Sequence, residues 1–144
     1  MTELTNLTIA EIRDGFRAGD FSARDVAEGF NANVAAASKA LNAFIVETPE
    51  RALAAADAAD KDRASGTLKP LSGVPIGMKD LFATKGVQTT AASHILEGFV
   101  PEYESTVSQK LVDAGSVMLG KLNMDEFAMG SSNETSCYGN VVNP

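Results

Sequence analysis

Two short apolar runs separated by one amphipathic helix constrain the fold of this chain more than any other feature. Val74–Met78 is an extended run punctuated by proline and glycine, and Ser116–Gly120 is a second run of strand length. Between them, Ser105 is placed to cap a helix that carries apolar residues at helical spacing and ends at Gly115. A strand, a crossover helix and another strand form a βαβ unit with parallel strands. The pattern therefore predicts an α/β fold.

The N-terminal part is predicted to be mainly helical, with one short strand. Thr8 and Glu11 match a capping box that opens a first amphipathic helix. A second start signal at 22–25 precedes a longer helix, and the apolar run at 44–46 is typical of a strand. Residues 48–49 combine an N-cap residue with proline, ahead of an alanine-rich helix whose weak apolar bulk predicts a surface position. We expect N-terminal helices followed by the first part of a mixed or parallel sheet flanked by helices.

Composition and charge argue against several classes of protein. The chain has 144 residues and a formal net charge of -7, which is unsuited to gripping a nucleic-acid backbone through clustered lysines and arginines. Cys137 is the single cysteine and His94 the single histidine, so an internal disulfide is impossible, and neither a metal site nor a Cys–His pair is expected. The polar start is no signal peptide, and no apolar run approaches the roughly 18 residues of a spanning helix. We expect a cytoplasmic protein that binds no membrane.

Lys79 is the first candidate for chemistry because it ends the apolar run at 74–78. Open α/β sheets place their sites at the carboxyl ends of strands. An amine removed from water at such a point is easier to deprotonate and can act as a neutral base. The alternative is a snorkelling or ion-paired lysine. Asp80 could hold the ammonium in an ion pair, yet neighbours in a strand face opposite ways.

A Gly-Ser-Ser turn at residues 130–132 follows the second strand. Its backbone N–H groups and hydroxyls could contact an anionic or carbonyl ligand, although the same residues also suit a plain polar turn. Asp125 and Glu126 could be imagined as an acid/base pair. Adjacent residues generally point apart, so a cap or surface role is preferred for both.

Four stretches, in this order along the chain, resemble the motifs of the amidase-signature family. The match is dense over the second half of the chain and looser over the N-terminal helices. Several ordered motifs are more specific than any one of them. Within that family, the sequence of the last of these stretches is most similar to that of the glutaminase subunits of tRNA-dependent amidotransferases. The four stretches are Leu71–Asp80, Thr89–Gly98, Val117–Lys121 and Asn123–Ser131.

This resemblance implies a fold and a reaction. Residues 1–144 would be the N-terminal part of a single amidase-signature domain, with 1–64 as a helical lead-in and 71–144 as the strand-helix-strand core with a substrate-facing loop. The family hydrolyses amides with a Ser–cis-Ser–Lys triad, in which Lys79 would be the catalytic lysine. The substrate amide would lie against Met129, Gly130 and Ser131. The implied activity is that of a carbon-nitrogen ligase with glutamine as amido donor.

The resemblance also implies partner subunits, and it implies that two catalytic residues lie outside these 144 residues. Ammonia from glutamine would pass to amidotransferase subunits B and C, in a heterotrimer whose partner subunit activates misacylated Glu-tRNA(Gln) or Asp-tRNA(Asn) with ATP and Mg. No cofactor is expected on this chain. Both family serines lie downstream of Pro144, so the 144 residues alone are expected to be inactive. Two alternatives remain open: a general amidase acting on another small amide, and a non-catalytic truncated binding module.

Overall fold

The computed structural model describes residues 3–144 and confirms the α/β class. Within this range no helix is long and apolar enough to cross a membrane. Short 3-10 helices occupy Leu4–Asn6, His94–Leu96 and Glu126–Ala128. The other elements in these residues are, in chain order, α1 (Ile9–Ala18), α2 (Ala23–Leu41), β1 (Phe44–Glu47), α3 (Pro49–Ser65), β2 (Pro75–Lys79), α4 (Thr106–Asp113) and β3 (Val117–Leu122).

The three strands form one mixed sheet in the order β1-β3-β2. β1 pairs antiparallel with β3, with a register irregularity between Phe44 and Val46. Beside β2, Val117 N donates to Val74 O at 2.8 Å. Further along, Asp80 N donates to Leu122 O at 3.1 Å. Because residue numbers rise together along this pair, β2 and β3 are parallel, and the predicted strand-helix-strand unit is confirmed.

The predicted helix starts are largely confirmed by their hydrogen bonds. Glu11 N donates to Thr8 Oγ1 at 3.3 Å, and Thr8 N donates to the Glu11 carboxylate at 2.7 Å, which completes the capping box. At α2, Ser22 and Asp25 form the same reciprocal pair of bonds. Thr48 occupies the N-cap position of α3, but its side chain caps nothing there and instead donates to Met118 O at 3.2 Å.

Helix α3 corrects one expectation from the sequence. Its alanine-rich face does not lie at the surface: Ala52, Ala56 and Ala59 are 0%, 0% and 5% exposed. Alanine offers little apolar area per residue, but its small size lets a helix backbone approach its neighbours closely. The lack of large apolar residues therefore did not indicate an exposed helix face.

The chain divides into two compact units. The first comprises residues up to Asn33, Thr48–Ile76 and Lys110–Leu119, and its apolar core is built around Ile12, Val26 and Val74. The second comprises Val34–Glu47, Gly77–Gln109 and Gly120–Pro144. The second unit buries several polar side chains, and it contains all the residues of the candidate site described below. The predicted division of a single domain into a helical lead-in at 1–64 and a strand-helix-strand core at 71–144 remains a prediction. The buried polar side chains of the second unit include Asp80, Thr84, Thr89, Thr90, Ser93 and Lys121.

Candidate active site

Lys79 and the Gly-Ser-Ser turn line one open cavity of about 390 Å³ in the second unit. Lys79 is the last residue of β2. Gly130 and Ser131 lie in the loop that follows β3, so the parallel pair brings both groups to the carboxyl end of the sheet. Met129 does not line this cavity and is 75% exposed. The remaining lining residues are Asn123, Met124, Asp125, Ala128, Ser132, Asn133 and Val141.

Within residues 3–144 Lys79 is not removed from water. Met78 and Asp80 are buried, while the Lys79 side chain between them is exposed. Successive side chains of a strand face opposite ways. Because Asp80 faces the interior, Lys79 faces outward and lines the open cavity.

Asp80 is fully buried and pairs with a lysine other than its neighbour. Its Oδ2 accepts bonds from Thr90 N at 2.9 Å and Thr90 Oγ1 at 2.6 Å, and a longer one from Ala92 N at 3.4 Å. Its Oδ1 lies 3.3 Å from Lys121 Nζ, which is ion-pair distance, although the angles are not those of a hydrogen bond. The considered Asp80–Lys79 pair is therefore not formed.

Lys121 is the residue of this region that sequence reasoning missed. It lies in β3 with a side chain that is 0% exposed. Its Nζ donates to Phe82 O at 2.8 Å and to Thr89 Oγ1 at 2.6 Å. A buried ammonium needs such partners because removing a charge from water is costly. The available signal was a lysine that continues the apolar run of β3, which indicates a buried charge with a partner elsewhere.

Asp125 organises the loop that carries Gly130 and Ser131. It is 8% exposed, so of the two expected roles, cap or surface, the surface role is wrong; Asp125 occupies the N-cap position of the 3-10 helix Glu126–Ala128. Its carboxylate accepts bonds from the backbone N–H groups of 133–135, at 2.9, 2.9 and 3.2 Å, and from the Thr135 hydroxyl at 3.0 Å. A Cβ on Gly130 would overlap this carboxylate. Glycine at 130 therefore lets the loop fold over Asp125, whose carboxylate is engaged by its own loop rather than by Glu126.

The backbone around the site is strained at several positions. Non-glycine residues with positive φ cost on the order of 1–3 kcal/mol each and persist only where surrounding contacts hold them. Apart from Asn42 (φ 52), such residues among those described lie in two loops of the second unit, and the hydrogen bonds of Asp80 and Asp125 fall in these same loops. They are Ala91 (φ 50), Ala92 (φ 55), Phe127 (φ 50), Ala128 (φ 59) and Asn133 (φ 58).

Acid is expected to loosen the Asp125 loop. The backbone N–H of Asn133, helped by Thr135 and Glu134, holds the pKa of Asp125 below its ordinary value of 3.8 despite burial. A lowered folded-state pKa contributes stability above the ordinary value that is lost as pH falls through the folded value. We expect the amides of 133–135 to exchange hydrogen at a constant degree of protection near neutrality and to lose protection below pH 3.8. In Asp125→Asn this pH dependence should disappear, and its persistence would contradict the assignment.

Cys137 and His94 do not have the surroundings of catalytic groups. Burial raises the pKa of the Cys137 thiol, and the nearby carboxylates of Glu126 and Glu97 raise it further. A thiol in that setting is a poor nucleophile near neutral pH. His94 is exposed, with Nδ1 3.1 Å from the Glu97 carboxylate.

Comparison with known proteins identifies a family for this chain. Residues 25–144 match the family model described as Amidase. The whole chain is 81% identical over 144 residues to the A subunit of glutamyl-tRNA(Gln) amidotransferase from Sphingopyxis alaskensis, and covers 29% of that protein. The chain thus spans less than a third of the length of this relative.

Two solved structures share the fold. One belongs to a vestigial protein complex that bears on the origins of an s-triazine catabolic enzyme. It has a TM-score of 0.91 and 44% identity, with 96% of this chain and 31% of that chain covered. The other is the native peptide amidase of Stenotrophomonas maltophilia, with a TM-score of 0.83, 30% identity, and 94% and 29% covered. Together with the family match over most of the sequence, these likenesses establish that the chain belongs to the amidase family.

Proposed function

We propose that the polypeptide containing these 144 residues hydrolyses the side-chain amide of glutamine and supplies the ammonia for transamidation of misacylated Glu-tRNA(Gln) or Asp-tRNA(Asn). The observation that carries the proposal is that Lys79, Gly130 and Ser131 line one cavity of about 390 Å³. The choice of glutamine is supported by the 81% identity to the A subunit of an amidotransferase, against 30% to a peptide amidase.

Lys79 is the proposed base of a Ser–cis-Ser–Lys triad. Its neutral amine takes a proton through the bridging serine as the nucleophilic serine attacks the amide carbon. The same proton returns from Lys79 through the bridging serine to the amide nitrogen as the C–N bond breaks, and the nitrogen leaves as ammonia. Water hydrolyses the resulting ester and releases glutamate. Both serines belong to the longer polypeptide. Ser131 and Ser132 match a different motif and are not substitutes for them.

The loop at 129–132 is the proposed substrate-facing wall. Backbone N–H groups and the Ser131 hydroxyl can donate to a carbonyl that lies in the cavity. Asp125 fixes this wall through the bonds it accepts from 133–135, at 2.9–3.2 Å. The exposure of Lys79 in the described residues fits a site that further chain must close before its amine is shielded from water.

The proposed partners follow from the same assignment. Subunits B and C of the amidotransferase would receive the ammonia, and the partner subunit would bind the misacylated tRNA and use ATP and Mg. We expect the assembly to act in the cytoplasm. With a net charge of -7, these residues are poorly suited to holding tRNA themselves.

Ammonia release from defined amides tests the proposal. The full-length polypeptide, assembled with its partner subunits, is expected to hydrolyse glutamine and to leave a C-terminal peptide amide essentially untouched. The isolated 144-residue chain is expected to release no ammonia above background, because it supplies a base without a nucleophile. Preference for the peptide amide would favour a general amidase instead. Turnover by the isolated chain would refute the triad, and an inactive full-length assembly would favour a non-catalytic module.

A further inference from the structure

We propose that the buried Asp80–Lys121 pair positions Lys79 relative to the loop at 129–132, of which Gly130, Ser131 and Ser132 line the same cavity. Neither charge lines the cavity, so neither is a catalytic residue. The inference rests on the proposed function for its kinetic consequence, and on contacts within the second unit for its structural one.

The position of Lys79 is set by the backbone of its neighbour. Within residues 3–144 the Lys79 side chain has no ion pair or hydrogen bond of its own. Asp80 is held on both sides of its main chain: its N–H donates to Leu122 O at 3.1 Å, and its carbonyl accepts from Ala91 N at 3.2 Å. Anchoring Asp80 inward therefore directs Lys79 outward.

The two buried charges tie three segments together. The Asp80 carboxylate accepts from Thr90 N at 2.9 Å and Thr90 Oγ1 at 2.6 Å. Lys121 extends from β3 and donates to Phe82 O at 2.8 Å, just beyond the end of β2, and to Thr89 Oγ1 at 2.6 Å. The end of β2, the loop at 89–93 and β3 thus meet at one ion pair.

The loop at 89–93 connects this ion pair to the residues on either side of the loop at 129–132. Ala91 O accepts from Phe127 N at 2.9 Å, and Ala92 O accepts from Cys137 N at 3.1 Å. Phe127 and Cys137 flank the segment that contains Gly130 and Ser131. Because bonds to Asp80 also hold the two alanines in their left-handed conformations, Asp80 connects the end of β2 that carries Lys79 to the segment that carries Gly130 and Ser131.

A buried ion pair is better suited to fixing geometry than to adding stability. Its Coulombic attraction is largely offset by desolvation, and a well-packed apolar pair of similar volume is often as stable. Its hydrogen bonds, in contrast, are directional and set positions closely. Displacing a reacting group by about 1 Å can cost about 100-fold in rate.

The test uses Asp80→Asn in the full-length polypeptide assembled with its partners. This variant keeps the shape and one acceptor oxygen but removes the charge that faces Lys121. We expect kcat for glutamine hydrolysis to fall about 100-fold while KM changes less than about threefold. Asp80→Asn/Lys121→Met, which removes both charges, should recover thermal stability relative to Lys121→Met without recovering kcat. Recovery of kcat together with stability would overturn the positioning role.

Arg63→Met is the matched control in the first unit. Arg63 is also a structural cation: it donates to Phe16 O at 2.8 Å and Phe21 O at 2.9 Å. Its removal should lower stability and leave kcat within about twofold, since these bonds lie within the first unit and not at the site. An equal loss of kcat in both variants would show that Asp80 acts through general stability alone.

Hydrogen exchange separates failure of this inference from failure of the proposed function. Peptides containing Phe127 and Cys137 should exchange at least about 10-fold faster in Asp80→Asn than in wild type, and unchanged in Arg63→Met. If wild type does not hydrolyse glutamine, the proposed function fails, and the exchange result still decides the coupling. Unchanged exchange at both peptides would refute the coupling whatever the activity.

Discussion

Replacing Lys79 by methionine in the full-length assembly is expected to lower glutamine hydrolysis by at least about 1,000-fold. In the proposed mechanism the amine is the only proton acceptor for the nucleophile, and members of a triad fail as a unit. Lys79 is exposed, and within residues 3–144 its side chain makes no bond on which the fold depends, so the unfolding temperature should change little. Ammonia release and thermal unfolding, measured on the same preparation, check both statements.

Lys79→Arg sharpens this prediction. Arginine keeps the positive charge but is not deprotonated in proteins, so it can stabilise charge and cannot accept a proton. Activity as low as that of the methionine variant would identify a base, whereas retained activity would show that only the charge is needed. Lys61→Met, an exposed lysine of α3, is the control and should remain fully active. Loss of activity in Lys61→Met would point to an effect unrelated to the site.

Lys121→Met is expected to lower the free energy of unfolding by about 3–5 kcal/mol, because it leaves the Asp80 charge buried without its cation. Lys121 is 0% exposed, and its ammonium donates to Phe82 O and Thr89 Oγ1. Methionine matches the stem in length and supplies no donor, so the loss reflects the charge and its bonds rather than a cavity. Urea-induced unfolding followed by circular dichroism measures it.

Lys69→Met is the matched control for this stability prediction. The Lys69 ammonium lies 4.0 Å from the Asp62 carboxylate, and 47% of its side chain is exposed. Exposed pairs contribute roughly 0–1 kcal/mol, so this variant should unfold near the wild-type urea concentration. Equal effects of the two substitutions would mean that Lys121 is no more important than a surface lysine. A second, compensating change at Asp80 to asparagine should recover part of the loss.

Local signals were sufficient to predict most of the elements. The Thr8 box, the Ser22 start and the strand near Phe44 depend on residues within a few positions, and the structure confirms them. The parallel pair was predicted because its two apolar runs flank a helix. The local pattern correctly placed Thr48 at the start of α3. It could not predict that the Thr48 side chain bonds to Met118 O, because that partner is distant in the sequence.

The candidate site was predictable only in outline. Lys79 was found because it ends a strand, but its exposure depends on which chain segments cover it, and no local pattern reports that. Asp80 and Lys121 are 41 positions apart and meet only after β2 and β3 pair. For Asp125 a cap or surface role was expected because adjacent residues generally point apart. Its burial follows from Gly130, whose missing side chain lets the loop close over the carboxylate.

The left-handed alanines at 91 and 92 bear on any attempt to make this protein more heat-resistant. Glycine adopts φ values of 50 and 55 without steric cost. Ala92→Gly would therefore be an obvious substitution for relieving backbone strain. The same change would give the segment between Asp80 and Phe127 new freedom. Under the proposed function we expect the melting temperature to rise and turnover to fall. This short loop is therefore a poor target for substitutions meant to raise thermal stability.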